Sequence, residues 1–160
     1  IILALLIYLS GCSHNSHDAL GALGLTTAYT KATLPFVEAF TRGILCNWLV
    51  CLAIWMASSS RHVIGKIFAI FFPIMTFVAS GYEHSIANMY FLTNGLFLKH
   101  TPDIVAASGL TAEQLSALTW KTALFSNLIP VTLGNLIGAI VFVVLLFWTA
   151  YLRDDHEDKK

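Results

Sequence analysis

Residues 66–98 constrain the fold more than any other part of this chain. The segment is apolar on both flanks, over residues 67–79 and 90–98, yet its middle reads Gly81-Tyr82-Glu83-His84-Ser85-Ile86-Ala87-Asn88-Met89. As one continuous helix it would run roughly 50 Å at 1.5 Å per residue. A bilayer core is only about 30 Å thick and needs about 20 residues. A charge at its centre costs at least about 2.5 kcal/mol. A break at Ser80-Gly81 relieves both problems, because glycine accepts backbone angles that other residues resist. Backbone groups left unpaired by such a break are tolerated only where protein buries them or a watery cavity reaches them. The second half-helix would start near Ser85 and bring its partly positive N-terminal end to mid-membrane. His84, an ionisable donor, stands beside that end. The pattern reads as a site for a small anion.

Composition agrees with a membrane protein. Hydrophobic residues make up 57% of the chain and charged residues 11%, against about 25% charged in a soluble domain. The formal net charge is zero, and no basic patch points to nucleic acid. The length leaves room for about three and a half spans, so the chain reads as one all-α polytopic unit. Residues 1–9 read as the tail end of a membrane helix, and the whole as a fragment whose N-terminal part is missing. Cys46 and Cys51 diverge by roughly 140° on a helix and act as small packing residues. Cys12 stands alone in a loop. His14-Asn15-Ser16-His17-Asp18 has a metal-like look but only local spacing, so no metal or cofactor is expected.

Taken in order, residues 11–33 are polar and glycine-rich and predict a loop ending at Lys31. Residues 36–58 form the first complete span. Pro35 and Glu38 suit its N-terminal end, and Arg42 lies one turn after Glu38. Asn47 lies deeper; it either hydrogen-bonds a neighbouring helix or lines a pore. Trp48 and Trp55 share a face. Pro73 predicts a kink, and Phe77 lies two turns before His84 on about the same side. Thr111 and Gln114 fit a capping box opening a surface helix over residues 112–125. Residues 130–152 form the last span, with Gly134 and Gly138 allowing close helix approach. A charged, solvated tail covers residues 153–160. Arg61, Lys66, Arg153, Lys159 and Lys160 fall in two short segments, whereas Lys31, Arg42, Lys99 and Lys121 are spread over longer ones. That density of positive charge favours a cytoplasmic tail.

The run Gly81–Met89 resembles the signature of the formate/nitrite transporter family. Three other stretches agree with it in order: Gly43-Ile44-Leu45-Cys46-Asn47-Trp48-Leu49-Val50-Cys51-Leu52-Ala53, then Asn127-Leu128-Ile129-Pro130-Val131-Thr132-Leu133-Gly134-Asn135, and Tyr151-Leu152-Arg153. Ala79-Ser80-Gly81 and the chain's ending are most similar to the formate channel branch. The resemblance implies an aquaporin-like helical channel subunit with a helix broken at mid-membrane, assembled as a homopentamer. Residues 1–160 would then be the C-terminal part of one transmembrane domain: the end of helix 3, helices 4 to 6 and a cytoplasmic tail, in a bacterial plasma membrane.

Residue by residue, His84 matches the central pore histidine, and Asn47 and Asn88 the asparagines near it. Lys31 matches the lysine of the outer vestibule, although Ala32-Thr33-Leu34-Pro35 departs from the histidine-containing stretch expected there. Phe77 and Val50 match the outer hydrophobic constriction. Ser80, Gly81 and Glu83 belong to the hinge of the broken helix. The cargo implied is formate or a similar small anion moved through the lipid bilayer without catalysis. Nitrite, hydrosulfide, acetate and lactate obey the same physics. Two readings from other classes stay open from the residues alone: a membrane-embedded enzyme using Glu83 and His84 as acid and base, and a purely structural membrane subunit.

Overall fold

In the computed structural model, which describes residues 1–152, the opening apolar run forms α1 (Ile2–Leu9) and a short 3-10 turn follows at Cys12–His14. Much of the expected loop is instead a helix, α2 (Ala19–Ala32). Its glycines suggested a loop, but α2 buries Gly21, Ala22, Leu25, Ala28 and Ala32, a helical stripe. Gly21 serves that packing: a Cβ there would lie 2.6 Å from the Ile104 side chain. Close approach outweighs the roughly 1 kcal/mol that a helical glycine costs. The His14–Asp18 stretch forms the turn before α2, with His14 Nδ1 bonded to the Asp18 carboxylate. The tail over residues 153–160, including Arg153, Lys159 and Lys160 of the charge argument, lies outside the described residues.

Next come α3 (Phe36–Ser59), α4 (Val63–Ala79), α5 (Ser85–Leu98), α6 (Pro102–Ser108) and α7 (Ala112–Ala117). The final helix, α8, runs Trp120–Leu152 with widened π turns at Ala123–Leu128, Ile140–Leu145 and Trp148–Leu152. The helices α3 and α8 are long and apolar enough to cross a bilayer, and α4 is a shorter apolar helix. No strand occurs among the described residues.

Two expectations change here. The capping box forms: Gln114 N–H donates to Thr111 Oγ1 at 3.2 Å and Thr111 N–H to Gln114 Oε1 at 2.8 Å. However, α7 stops at Ala117, because Leu118 turns extended and is fully buried. Thr119 then caps α8 through a second reciprocal pair with Thr122, at 3.1 and 2.9 Å. The last span therefore begins at Trp120 and carries Pro130 inside it. Proline lacks a donor and crowds the carbonyl one turn back. The π turn just before it makes room, with Ile129 N–H reaching the Leu124 carbonyl.

The chain divides into two compact units. The first joins Ile1–Ala39 to Ser85–Pro130. Its core gathers Leu25 and Ala28 of α2, Leu92, Leu96 and Leu98 of α5, Ile104 and Leu118. Lys99 Nζ donates to the Leu118 carbonyl at 2.8 Å and holds the connection to α8.

The second unit joins Phe40–His84 to the chain from Val131. Here α3 and α8 pack through glycine. A Cβ on Gly43 would lie 2.8 Å from the Val131 carbonyl, and one on Gly134 or Gly138 would collide with the carbonyls of Phe40 or Ile44. The paired glycines thus serve packing within the chain. Trp48 stacks on Phe142 with centroids 4.8 Å apart, and Trp55 meets Phe147 edge-on at 5.5 Å, so the shared tryptophan face is a packing face. None of the residues of α4 is buried, and Ile67, Phe68, Phe71, Phe72 and Met75 are exposed. A patch of that size marks a face that meets lipid or other protein.

Gly134→Leu is expected to destabilise the full-length protein by at least about 1–3 kcal/mol, the usual cost of overpacking, since the colliding atoms are backbone. Thermal unfolding in detergent measures it, with Leu136→Met, at a half-exposed position, as a near-neutral control. An unchanged melting temperature for Gly134→Leu would refute the α3–α8 packing.

Candidate functional site

The break in the long apolar segment has a defined geometry. Helix α4 closes with Gly81 in the left-handed region at φ +67°. Tyr82 N–H bonds the Phe77 carbonyl at 3.0 Å and Gly81 N–H the Val78 carbonyl at 3.1 Å, the pair of bonds of a Schellman ending. Ser80 is the last residue before it and bonds back to Thr76 at 2.9 Å. His84, half-buried, immediately precedes α5, and the Phe77 ring lies beside its imidazole with centroids 6.1 Å apart and planes tilted by 31°. One polar ring against one apolar ring can both orient a small polar solute and keep water from surrounding it.

What fixes this stretch is an asparagine that the sequence reading did not single out. Asn135 of α8, buried, donates from Nδ2 to the Glu83 carbonyl at 3.0 Å and to the Gly43 carbonyl at 2.9 Å. Its own backbone carbonyl accepts from Asn47 Nδ2 at 2.8 Å. One carboxamide therefore ties α3, α8 and the break together. Glu83 is buried, and its N–H reaches the Arg42 carbonyl at 3.4 Å. Asn47, half-buried, thus bonds a neighbouring helix. Val50 lies on α3, half-buried, one turn beyond Asn47.

The remaining candidates sit in the first unit. Asn88 of α5, buried, donates from Nδ2 to Asn127 Oδ1 at 2.8 Å. Asn127 in turn donates to the Lys31 carbonyl at 3.0 Å. Lys31 Nζ stands 5.7 Å from the centre of the Phe91 ring, a cation–π distance. Asn127 is fully buried and was also missed as a site residue. The available signal was the same for both: an amide inside an apolar run, which must find a partner within the protein. Among the described residues no group of three His, Cys, Asp or Glu side chains could hold a metal.

Comparison with known proteins matches residues 1–149 to the formate/nitrite transporter family. The chain is similar to the formate channel FocA of Escherichia coli K12, 42% identical over 159 residues, covering 98% of this chain and 56% of that protein. It is also 42% identical over 134 residues to a probable formate transporter of Methanothermobacter thermautotrophicus, covering 84% of this chain and 43% of that one. Among solved structures, a pentameric formate channel with formate bound superposes with a TM-score of 0.86 at 34% identity, over 95% of this chain and 60% of that chain. The chain thus spans about half the length of the curated relatives it matches.

The Asn135 clamp predicts a structural phenotype. Asn135→Leu removes both of the clamp's bonds, at about 0.5–1.5 kcal/mol each, and should lower the melting temperature of the full-length protein. Gly81→Val forces a branched side chain into the left-handed region, at roughly 1–2 kcal/mol. Melting curves for both that superimpose on the native one would show that neither holds the break.

Proposed function

This chain belongs to the formate/nitrite transporter family, and from that premise we propose that the whole protein is a membrane channel moving formate, in the neutral acid form, across the bilayer. As a family member the chain is integral to a membrane. We place it in a bacterial plasma membrane with its C-terminus cytoplasmic, in a homopentamer that takes no nucleic acid partner. The observation that carries the reading is the helix break holding His84 against Phe77, in a chain whose reported relatives are channels or transporters.

Magnitudes support transport as the acid. Bringing an anion into a dry constriction costs at least several kcal/mol after relaxation. Protonating a carboxylate of pKa about 3.5 at pH 7 costs about 3.5 units, or roughly 5 kcal/mol. The routes are close, and a dry constriction favours protonation. In this reading Lys31 draws the anion in, and Phe77 and Val50 exclude water and larger solutes. His84 hydrogen-bonds the cargo at the centre and exchanges a proton with it. Asn47 and Asn88 keep the surroundings polar without adding charge. Ser80, Gly81 and Glu83 hold the break in shape.

The test is flux into proteoliposomes of the full-length protein, native against His84→Phe, with formate, nitrite and hydrosulfide in parallel. Losing a hydrogen bond to a charged or charging group costs about 1.5–3 kcal/mol, so His84→Phe should slow formate by roughly 10- to 100-fold. At fixed total formate, flux should rise from about pH 8 to about pH 5, as the neutral fraction grows about tenfold per unit above the carboxyl pKa. Flux of nitrite or hydrosulfide alone would keep the channel and replace the cargo. No flux of any of the three in a correctly assembled oligomer would sink the proposal.

A further inference from the structure

Lys31 stands in the last turn of α2, and two separate contacts hold its two ends. At the backbone, Asn127 Nδ2 donates to the Lys31 carbonyl at 3.0 Å, while Asn127 Oδ1 accepts from Asn88 Nδ2 of α5 at 2.8 Å. At the tip, the ammonium stands 5.7 Å from the centre of the Phe91 ring, within the reach of a cation–π contact. Asn88 and Phe91 are three residues apart, hence neighbours on one face of α5. One turn of α5 therefore meets Lys31 at both ends, through Asn127 at one and directly at the other. Packing fixes the distance between the two helices. Leu25, Ala28 and Ala32 of α2 share a core with Leu92, Leu96 and Leu98 of α5, and a Cβ on Gly95 would collide with the Ala28 side chain. The Phe91 ring is itself buttressed: Tyr90 meets it edge-on with centroids 5.3 Å apart.

A lysine carries its charge as a compact point on a flexible four-carbon stem. Unrestrained, that charge is spread over many positions. The face of an aromatic ring attracts it through the ring quadrupole yet bears no net charge, so this contact localises the ammonium without supplying a counter-ion. We propose that Phe91 is a positioning residue for Lys31, a role that Asn127 completes from the backbone side. Together they fix the positive charge at one place on the path of a small anion. The functional part of this inference rests on the channel reading, in which Lys31 draws the anion in. A charge that acts on capture shows its loss in the apparent KM more than in the maximal rate.

The experiment measures initial formate uptake against formate concentration in proteoliposomes of the full-length protein. Phe91→Leu keeps an apolar side chain and removes the ring. It is expected to raise the apparent KM about 2- to 5-fold, the range of a partly exposed cation–π contact, with the maximal rate nearly unchanged. Phe91→Trp, whose ring face is the stronger partner, should restore the native value. In a Lys31→Gln background Phe91→Leu should add nothing, because the residue it acts through is gone. An unchanged KM in Phe91→Leu would overturn the proposal. So would a rise of the same size in the Lys31→Gln background, which would assign the effect to packing alone. Should Phe91→Leu fail to assemble, Phe91→Met, unbranched and adaptable, is read in its place. A second measurement does not involve flux: acylation of the lysines by acetic anhydride in detergent, followed peptide by peptide by mass spectrometry. Removing the ring should speed labelling of Lys31 several-fold and leave the exposed Lys66 and Lys121 as they were. Equal Lys31 rates in native protein and Phe91→Leu would show that the ring does not hold the ammonium. If the native protein carries no formate, the channel reading falls by itself, and the labelling still decides the contact.

Discussion

A helix that stops inside an apolar layer releases carbonyls and amides that water cannot reach. Every such group must be met from within the protein, or it costs several kcal/mol. At the break after α4 that demand is answered in two ways. The Schellman bonds from Tyr82 and Gly81 close the end of α4 locally. Asn135 then takes the Glu83 carbonyl from outside, and the Gly43 carbonyl with it. A side chain as short as asparagine reaches both only because α3 and α8 lie close. That closeness requires Gly43, Gly134 and Gly138. The glycines, the amide and the break are therefore one arrangement, and the position of His84 depends on it.

The two halves of this arrangement were unequally legible in the sequence. The break could be read because bilayer thickness limits helix length, and Gly81 marked where the chain would turn. The span at residues 36–58 was legible for the same reason, and the structure extends it by one residue, to Ser59. Asn135 and Asn127 were visible only as amides in apolar runs, since which carbonyl a short side chain meets is decided by its neighbour in space. Helix α2 was hidden by its glycines. They read as flexibility, but Gly21 serves close packing against Ile104. The start of α8 was hidden by Pro130. A rule that ends helices at proline does not anticipate a π turn that accommodates it, and Thr119–Thr122 lacks the Glu or Gln that makes a capping box conspicuous.

In the first unit Asn127 plays a part similar to that of Asn135 in the second. It stands in the π segment Ala123–Leu128, accepts from Asn88 on α5 and donates to the Lys31 carbonyl of α2. Widened helical turns recur where a side chain must be re-aimed, and here the widening coincides with both the proline and the amide. The anchoring of Lys31 is through its backbone, so that contact does not engage its ammonium. The ammonium stands over Phe91 instead. Position and charge are thus supplied by different atoms of the same residue.

Beside the buried carboxylate of Glu83, these sites are cross-linked by carboxamides. In apolar surroundings an ionised side chain must be paired or desolvated at a cost of several kcal/mol. A carboxamide carries both a donor and an acceptor with no net charge. It can clamp a carbonyl, as Asn135 does, or join two helices, as Asn127 does. The same property suits a weak acid as cargo. Such a solute can shed its charge by taking up one proton, and a surface of neutral amides then meets both of its polar atoms. A permanent anion, by contrast, would need a fixed positive charge at each polar step to offset its desolvation. Under the proposed channel function, the distribution of amides, with a histidine at the break, would suit solutes whose protonated and ionised forms lie within a few kcal/mol of each other. On that proposal the constraint falls on the acidity of the cargo more than on its shape.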